Sequence, residues 1–351
     1  MDCILAENIL AEGFSVFGKV VSVEPLKNGK INGTFLVRSE NAEYVLQSMN
    51  PVVFNRPYDV MDNVRQVLRY LRESGCPLRV PHLYQGQKNG IFCRQNRMWR
   101  LFDFIPGVSF SASEEEQVLN GAGEAYGCLL RYLQKYDGRE LKVTFPGLRD
   151  APLHYSELRA ALRTNPEKAA ALDDKAGFLF ACEEKACRMA DCIRSGAIPA
   201  RITHNDTKLA NVLFDRETGK PVGVIDFDTV MPGYLPYEFG DAVRSVAIRK
   251  EGGKPVFSEN AFSAFSVSFL SQLEGILTDT EKERLTEAAF ILTAELAIRY
   301  YTDYLTGAGY FREEYPGQNR DRGDYCVSCA RVFMDKETWM RDEIVRALTK
   351  G

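Results

Sequence analysis

Histidine is scarce in this chain, and long apolar runs are absent. Only three of the 351 residues are histidine, so a histidine-rich metal site is excluded. The nine cysteines are an odd number and are scattered, and we interpret them as reduced thiols packed as small apolar residues. No segment approaches 18 continuous apolar residues, and acidic residues stand where a secretory signal would have basic ones. We therefore expect a cytoplasmic protein that does not associate with a membrane.

An excess of positive charge is also lacking. The formal net charge is −4 and the pI is about 5.7, so the surface as a whole does not attract polyanions and nucleic acid is not an expected partner. The hydrophobic fraction of 45% and the charged fraction of 26% are those of an ordinary globular protein. We expect a monomer or a weak homodimer, long enough for two domains.

The first hundred residues are predicted to form strands around one helix. Strand-like runs are "VVSVEPL", "TFLVRS" and "AEYVLQSM", and a further hairpin is predicted from "GIFCRQ" and "MWRLFDFIPG". Between them, apolar residues at helical spacing in 58–75 predict a helix that stops at Gly75 and Pro77.

The character of the sequence changes after Pro106-Gly107. Ser113 and Glu116 have the spacing of a capping box and predict a helix that runs toward Tyr136. From there the pattern is mostly helical, interrupted by a strand pair within 212–228. We therefore predict an α+β protein with a small β-rich domain at 1–105 and a larger helical domain at 106–351.

The segment "THNDTKLANVLFD" (203–215) places an imidazole, a carboxylate, an ammonium and an amide just before a strand. That strand and a second one, 222–225, flank a turn around Thr218-Gly219, and a hairpin centred there would place Asn211 opposite Asp226. Directly opposed side chains of an antiparallel pair lie about 5 Å apart. An amide oxygen and a carboxylate at one point suit Mg²⁺.

The pattern D-x-K-x-x-N, followed by a hairpin and I-D-F, is typical of the catalytic loop of kinases. In such a loop Asp206 accepts the proton of the substrate hydroxyl and Lys208 offsets charge on the transferred phosphoryl group, while Asn211 and Asp226 hold the metal. ATP carries several negative charges, and each charge pair at about 4 Å costs about 4 kcal/mol at an effective dielectric of 20. One lysine does not neutralise that charge, so ATP together with Mg²⁺ is the expected cofactor set.

The nucleotide side departs from the usual pattern. "NGKINGTFLV" lies between two strands, where kinases have the loop that covers the phosphates, and "YVLQSM" has Gln47 where a phosphate-pairing lysine is expected. Lys30, Arg38 and Arg56 are the alternative cations, and Asp62 or Asn63 stands where a pairing glutamate would be. The candidate nucleotide-binding residues are Gly29, Lys30, Asn32, Gly33, Thr34, Gln47 and, in the hinge between the lobes, Asp103, Phe104 and Ile105.

The segments "THNDTKLANVLFD" and "GVIDFDTVMPGYLPYEFGDAVR" resemble those of the aminoglycoside phosphotransferase superfamily, and most closely those of its N-acetylhexosamine 1-kinases. "INGTFLV", "WRLFDFIPG", "IRYYTDYLTGAGYF" and "NRDRGDY" extend the resemblance over residues 31–325. It implies a two-lobed protein-kinase-like fold and ATP-dependent phosphorylation of the anomeric hydroxyl of N-acetylglucosamine or N-acetylgalactosamine. In that family the base falls on Asp206 and the metal ligands on Asn211 and Asp226.

The same resemblance places sugar contacts at Asp228, Arg299 and Tyr310. The aromatic residues concentrated in 299–315 also suit a neutral sugar rather than a polycationic aminoglycoside. Two alternatives stay open: a kinase for another small hydroxyl acceptor (another sugar, an amino alcohol or an aminoglycoside), and a nucleotide-binding pseudokinase. A protein kinase is disfavoured because the chain has no H-R-D, D-F-G or A-P-E triplet.

Overall fold

A computed structural model describes residues 3–15, 18–26, 32–51, 53–86, 90–94 and 97–349. The N-terminal part contains one five-stranded antiparallel sheet with the strand order β1-β2-β3-β5-β4. Its elements are helix α1 (Cys3–Gly13), strands β1 (Val20–Pro25), β2 (Gly33–Ser39) and β3 (Glu43–Ser48), helix α2 (Pro57–Glu73), and strands β4 (Phe92–Arg94) and β5 (Arg97–Asp103).

The C-terminal part is mainly helical, with three short two-stranded sheets. Its helices are α3 (Glu116–Leu133), α4 (Ala151–Thr164), α5 (Pro166–Ala169), α6 (Asp173–Ala181), α7 (Glu183–Arg194), α8 (Leu235–Val246), α9 (Glu259–Gln272), α10 (Asp279–Thr306), α11 (Gln318–Asp335) and α12 (Glu337–Thr349). Its strand pairs are β6 (Arg201–Thr203) with β9 (Met231–Gly233), β7 (Val212–Phe214) with β8 (Pro221–Val224), and β10 (Ile248–Glu251) with β11 (Lys254–Phe257). The predicted α+β, two-lobed arrangement is confirmed.

The two faces of the five-stranded sheet have different partners. On one face, Phe35, Leu46 and Leu101 pack against helix α1 in a small separate core. Because side chains alternate along a strand, the residues next to these in sequence point to the other face, which turns toward α2 and the C-terminal lobe. Thr34, Gln47 and Arg100 lie opposite one another on neighbouring strands in that way.

Helix α2 connects the sheet to the helical lobe. The helix has proline in its first turn, and the predicted apolar residues Val60, Val64, Val67, Leu68 and Leu71 are all buried. These residues belong to the main core, which also contains residues of α3, α8 and α10. The predicted helix is confirmed, and its apolar face packs with the C-terminal lobe as well as with the sheet.

Two elements were missed and one local prediction was wrong. Helix α1 and the β10–β11 hairpin were not anticipated. Helix α3 begins at Glu116, and its preceding residue Glu115 makes no side-chain capping bond, so the predicted capping box does not form. Instead, the Ser113 hydroxyl accepts a hydrogen bond from the Glu115 backbone N–H at 3.1 Å, a local turn that competes with capping. In the part of the chain that the structure describes, no helix is both long and apolar enough to cross a bilayer.

Helices α3 and α9 approach each other at glycines, which gives a testable packing prediction. A Cβ added at Gly127 would lie 2.6 Å from the carbonyl oxygen of Phe269, so Gly127→Ala is expected to lower the free energy of unfolding by about 1–3 kcal/mol. The matched control is Gly177→Ala in helix α6, where an added Cβ meets nothing within 4 Å and alanine should stabilise the helix by about 0.5–1 kcal/mol. Urea unfolding of the two variants checks the opposite signs, and equal effects would contradict the close approach.

Candidate active site

The loop between β6 and β7 is held by carboxylates of helix α8. The Glu238 carboxylate accepts hydrogen bonds from the backbone N–H groups of His204 (2.8 Å) and Asn205 (2.7 Å). Asp241, one turn further along the helix, accepts from the Thr207 N–H at 3.0 Å. Both acids are 1% exposed. The loop backbone is therefore fixed from the interior, while the side chains of Asp206 and Lys208 remain partly exposed.

Burial has different consequences for these two acids. It raises the pKa of Glu238 to about 8, although two backbone N–H groups favour the ionised form. Burial also acts to raise the pKa of Asp241, but the charges of Arg244 and Arg149 outweigh it and the pKa of this carboxyl is lowered. Neither residue was predicted from the sequence. The available signal was a pair of acids at positions i and i+3 of the helix that follows the predicted metal ligand Asp226.

The loop and the turn at residues 225–229, which we call the metal-binding turn after the predicted ligand Asp226, each contain one residue with a backbone in the left-handed region. Among the described non-glycine residues only Asn205 (φ 63°) and Asp226 (φ 68°) have positive φ. Asparagine tolerates this conformation, and the Asn205 amide donates to the Thr229 carbonyl at 3.0 Å, which ties the loop to the turn. Such residues persist where the surroundings enforce them and cluster at functional sites.

His204 lies inside the protein rather than in the cleft. The residue is fully buried, and its Nε2 lies 3.1 Å from the carbonyl oxygen of Ile225, so this nitrogen is the donor. Burial lowers the pKa of the imidazole, which favours the neutral ring. These contacts indicate that His204 supports the loop as a scaffold.

The four predicted catalytic and metal-binding side chains meet at one point. Asp206 Oδ2 accepts hydrogen bonds from Lys208 Nζ at 2.5 Å and from Asn211 Nδ2 at 2.9 Å. Lys208 Nζ also lies 3.5 Å from Asp226 Oδ2. The side chains of Asp206 and Asp226 are 27% and 40% exposed, so the cluster is reachable from solvent.

The predicted hairpin register is wrong by one residue. Val212 pairs with Val224 and Leu213 with Gly223, and a bulge then shifts Phe214 onto Pro221. Asn211 consequently faces Ile225, whose N–H donates to the Asn211 carbonyl at 2.9 Å. The cause is the loop after Phe214: Asp215 Oδ1 caps the Thr218 N–H at 2.7 Å and so lengthens the turn. Asp226 then adopts positive φ, and its carboxylate still reaches Lys208.

Negative charge accumulates around Asp226. Burial, followed by the charges of Asp228 and Asp206, raises the pKa of Asp226 to about 6. The pKa of Lys208 is also raised, because the charges of Asp206 and Asp226 outweigh the effect of burial. Mutually repelling carboxylates beside a single lysine are a site that a divalent cation would stabilise.

The donor set fits Mg²⁺ only in part. Asn211 uses its amide nitrogen for Asp206, which leaves its amide oxygen and the Asp226 carboxylate as hard ligands. Within the described ranges no three His, Cys, Asp or Glu side chains converge as a metal site. An amide and a carboxylate alone suit a Mg²⁺ ion that keeps phosphate and water ligands rather than one held by a protein cage.

Several predicted nucleotide-side residues converge on the same region, whereas Gly29 and Lys30 lie outside the described residues. Gly33 opens strand β2 and pairs with Ser48. Thr34 accepts a hydrogen bond from the Gln47 amide at 3.3 Å. The amide of Asn32 donates to Asp228 Oδ2 at 3.1 Å, so the start of β2 contacts the metal-binding turn.

The predicted hinge follows strand β5. The N–H groups of Asp103 and Phe104 donate to the carbonyls of His82 (3.2 Å) and Glu43 (3.0 Å). In the described part of the chain, Ile105 N–H makes no hydrogen bond with another residue. Of the three hinge amides, that of Ile105 is therefore the one left for an adenine ring.

The residues considered as partners of a strand cation have other contacts. Asn63 is buried and donates to the backbone carbonyls of Lys142 (2.8 Å) and Val230 (3.0 Å), while Asp62 pairs with Arg65 and Lys142 at the surface. Neither contacts Gln47 or a cation of the sheet, because α2 presents this position to the C-terminal lobe.

Arg100 is the functional candidate that the sequence analysis missed. Its NH1 and NH2 groups bind the two carboxylate oxygens of Asp228 at 2.5 and 2.8 Å. Asp228 is predicted to contact the sugar, and in the structure this residue is 6% exposed and its carboxylate accepts hydrogen bonds from Arg100 and Asn32. The signal available in the sequence was the alternation of "MWRLFD", which places Arg100 on the same face of the strand as Phe102 and so indicates a buried arginine.

The other two predicted substrate residues form a separate aromatic cluster. The Arg299 guanidinium lies 5.1 Å from the Tyr310 ring centroid and 5.5 Å from that of Phe311. Asp303 fixes this turn, because its carboxylate accepts the N–H groups of Tyr310 and Phe311, both at 3.0 Å. Among the described residues no hydrogen bond or ion pair joins Arg299 or Tyr310 to Asp206.

A buried histidine beside this cluster predicts a pH-dependent stability. His154 lies between Glu157 (3.1 Å) and Glu295 (3.4 Å). Burial lowers its pKa, but the Glu295 carboxylate outweighs burial and the net pKa is raised. The charged imidazole therefore stabilises the fold fully below the ordinary histidine pKa of about 6.5, and this contribution is lost as the pH rises through the raised value.

His154→Gln is expected to lose about 2 kcal/mol of stability at acidic pH and progressively less above neutrality. The melting temperatures of the wild type and the variant, measured from pH 5.5 to pH 8.5, should converge as the pH rises. The control is His82→Gln, because His82 is exposed. A difference that stays constant with pH, or grows, would contradict the charged pair.

The fold and the site together define the class of protein. A small β-rich lobe, a helical lobe, and a carboxylate, lysine and amide on the loop between β6 and β7 are the features of kinase-like phosphotransferases. The chain belongs to the phosphotransferase enzyme family, whose sequence model matches residues 22–261. This membership supports ATP and Mg²⁺ as its cofactors.

Solved structures of small-molecule kinases share the fold. A microcompartment-associated aminopropanol kinase is 16% identical over 97% of this chain and 99% of its own, with a TM-score of 0.65. A spectinomycin phosphotransferase in complex with ADP and spectinomycin is 11% identical over 95% and 99%, with a TM-score of 0.63. A Plasmodium vivax ethanolamine kinase is 13% identical over 90% and 84%, with a TM-score of 0.58.

Proposed function

We propose that the protein is an ATP- and Mg²⁺-dependent kinase that phosphorylates the anomeric hydroxyl of an N-acetylhexosamine and so produces the sugar 1-phosphate. The observation that carries the kinase assignment is the cluster in which Asp206 Oδ2 meets Lys208 (2.5 Å) and Asn211 (2.9 Å), with Asp226 beside Lys208. The sugar assignment rests on the sequence resemblance and on the aromatic cluster around Arg299.

In this proposal each residue of the cluster has one role. Asp206 accepts the proton of the acceptor hydroxyl, and the ammonium of Lys208 orients this carboxylate before it offsets charge on the phosphoryl group. Asn211 and Asp226 hold Mg²⁺, which when bound neutralises negative charge on the phosphates. The loop is preorganised for this chemistry, because Glu238 and Asp241 fix its backbone.

On the acceptor side, rigid rings support a sugar. Tyr310 is 43% exposed, and the backbone N–H groups bound by Asp303 hold it and Phe311 in place. A ring face suits the apolar face of a pyranose, and the Arg299 guanidinium beside it supplies donors for hydroxyl or acetamido oxygens. The Asp303 carboxylate accepts hydrogen bonds from these two N–H groups and from the Asn319 amide (2.9 Å), so it is not available to bind a polycation.

An amine-bearing acceptor is the second candidate. Glu295 is 2% exposed and lies 3.4 Å from His154 Nε2, while neither carboxylate oxygen accepts a hydrogen bond from the described residues, so the carboxylate could also receive an ammonium. The aminopropanol, ethanolamine and spectinomycin kinases are structurally similar proteins, which keeps amino alcohols and aminoglycosides in the comparison. A pseudokinase is supported only by Gln47 in place of the strand lysine.

The test is ADP release coupled to oxidation of NADH, measured over a panel of acceptors with ATP and Mg²⁺. N-acetylglucosamine and N-acetylgalactosamine should stimulate release, while their 1-O-methyl glycosides, which lack a free anomeric hydroxyl, should not. Stimulation by ethanolamine, aminopropanol or spectinomycin in place of the sugars would replace the sugar assignment. Nucleotide binding without stimulation by any acceptor would favour the pseudokinase.

A further inference from the structure

The third strand of the sheet lacks the cation that kinases use on the nucleotide phosphates. Gln47 occupies that position, and the sequence offers Arg38 and Arg56 among the described residues. Arg38 pairs with Glu24 and Glu43 at the surface. Its partner Glu43 is four residues before Gln47 along the strand, so the Arg38 ion pair lies about 13 Å from Gln47. Arg56 is exposed before α2. Neither supplies a cation beside Gln47.

We propose that Arg100 is the phosphate-binding cation of the nucleotide site, with Gln47 and Asp228 as the residues that position it. This inference rests on the proposed kinase function. Arg100 is the cross-strand partner of Gln47, and its Nε donates to the Gln47 Oε1 at 2.9 Å. The amide therefore orients the guanidinium, whereas a lysine at position 47 would place a like charge against it.

The guanidinium lies between the sheet and the metal-binding turn. It holds both oxygens of Asp228, which is two residues after the predicted metal ligand Asp226. Asn32, from the segment before β2, donates to the same carboxylate at 3.1 Å. The phosphate-loop side, the third strand and the metal turn thus meet at one cation, the position a strand lysine serves in kinases.

Arg100 has donors to spare for a phosphate. A guanidinium has five N–H donors, of which one binds Gln47 and two bind Asp228. A fourth points at the Met61 thioether at 3.4 Å, a weak acceptor. Arg100 can therefore keep its positioning contacts while donating to a phosphate oxygen. Because Arg100 is 1% exposed, a phosphate oxygen reaches the remaining N–H only if a neighbouring segment moves, and we expect the hydrogen bond between Asn32 and Asp228 to break when the nucleotide binds.

The test compares binding of ADP and adenosine in the presence of Mg²⁺, measured by isothermal titration calorimetry without acceptor. Arg100→Met is expected to weaken ADP binding about 10- to 100-fold and to leave adenosine binding within about twofold. Adding Gln47→Lys to this variant, which restores a lysine on the third strand, should recover most of the ADP affinity, whereas the control Gln47→Met should not. Unchanged ADP affinity in Arg100→Met, or an equal loss for adenosine, would overturn the inference.

Removing Arg100 alone leaves Asp228 buried without a counter-charge, which can prevent folding. The second comparison is therefore Arg100→Met with Asp228→Asn against Asp228→Asn alone, since the neutral amide does not need the cation. The double variant should bind ADP at least about 10-fold more weakly than the single variant; equal affinities would overturn the inference. A wild-type protein that binds no nucleotide would instead overturn the proposed function itself.

Discussion

Replacing Asp206 with asparagine is expected to reduce kcat by about 10²–10⁴-fold while leaving nucleotide affinity unchanged. The carboxylate is the group that we propose accepts the acceptor proton, and an amide cannot take that proton. The asparagine oxygen can still accept the hydrogen bond that Lys208 now donates at 2.5 Å, so the loop should keep its conformation. The loss should appear in kcat rather than in the KM for ATP, because in the proposed mechanism Asp206 acts on the acceptor hydroxyl and not on the nucleotide.

The control for this variant is Asp335→Asn, the same change at an exposed residue that ends helix α11, which should have normal activity. Melting temperatures of both variants should stay close to that of the wild type. Turnover within a fewfold of wild type in Asp206→Asn would remove this residue as the base. A large loss of ADP affinity would point to a structural role instead.

Replacing Asp226 with alanine is expected to abolish the Mg²⁺ response. A metal ion stabilises the transferred phosphoryl group by several kcal/mol, so losing one of two protein ligands should cost at least about 10²-fold in turnover at millimolar Mg²⁺. Titration of ADP binding with Mg²⁺ should show no enhancement in the variant, whereas the wild type should bind ADP more tightly as Mg²⁺ is added. A variant that responds to Mg²⁺ as the wild type does would contradict the metal assignment.

In the metal-free protein, the ionised carboxylate of Asp226 should lower the stability of the fold. The pKa of Asp226 is raised to about 6 by burial and by Asp228 and Asp206, so its ionised form is destabilising, and stability should fall as the pH rises from about 4 to about 6. Without metal, Asp226→Asn should therefore melt at a higher temperature than the wild type at pH 7. A lower melting temperature would mean that the ionised carboxylate has a stabilising partner.

The proximity of the four side chains in the candidate catalytic cluster could be predicted because they are close in sequence. Asp206, Lys208 and Asn211 lie within six residues, and one short hairpin brings Asp226 back to them. The register of that hairpin was wrong because the Asp215 cap lengthens the turn and a bulge follows. Capping by a side chain depends on local backbone geometry, which a count of residues does not include.

The parts of the site that depend on distant residues were not predictable. Arg100 and Asp228 are 128 residues apart, and their contact requires the packing of the sheet against the metal-binding turn. The support of the loop by Glu238 and Asp241 likewise depends on the placement of helix α8. Helix α1 was missed because its short apolar run lacks capping signals, and it becomes a helix by covering one face of the sheet.

The packing of helix α2 has a practical consequence for truncated forms of the chain. Its apolar face shares the main core with α3, α8 and α10, and Asn63 bonds the backbone at Lys142 and Val230. A fragment that begins at residue 106 would expose this shared interior and would be prone to aggregate. The sheet and α1 have a small core of their own. In any movement between the two lobes we therefore expect the strands to move together with α1, while α2 stays in place on the C-terminal helices.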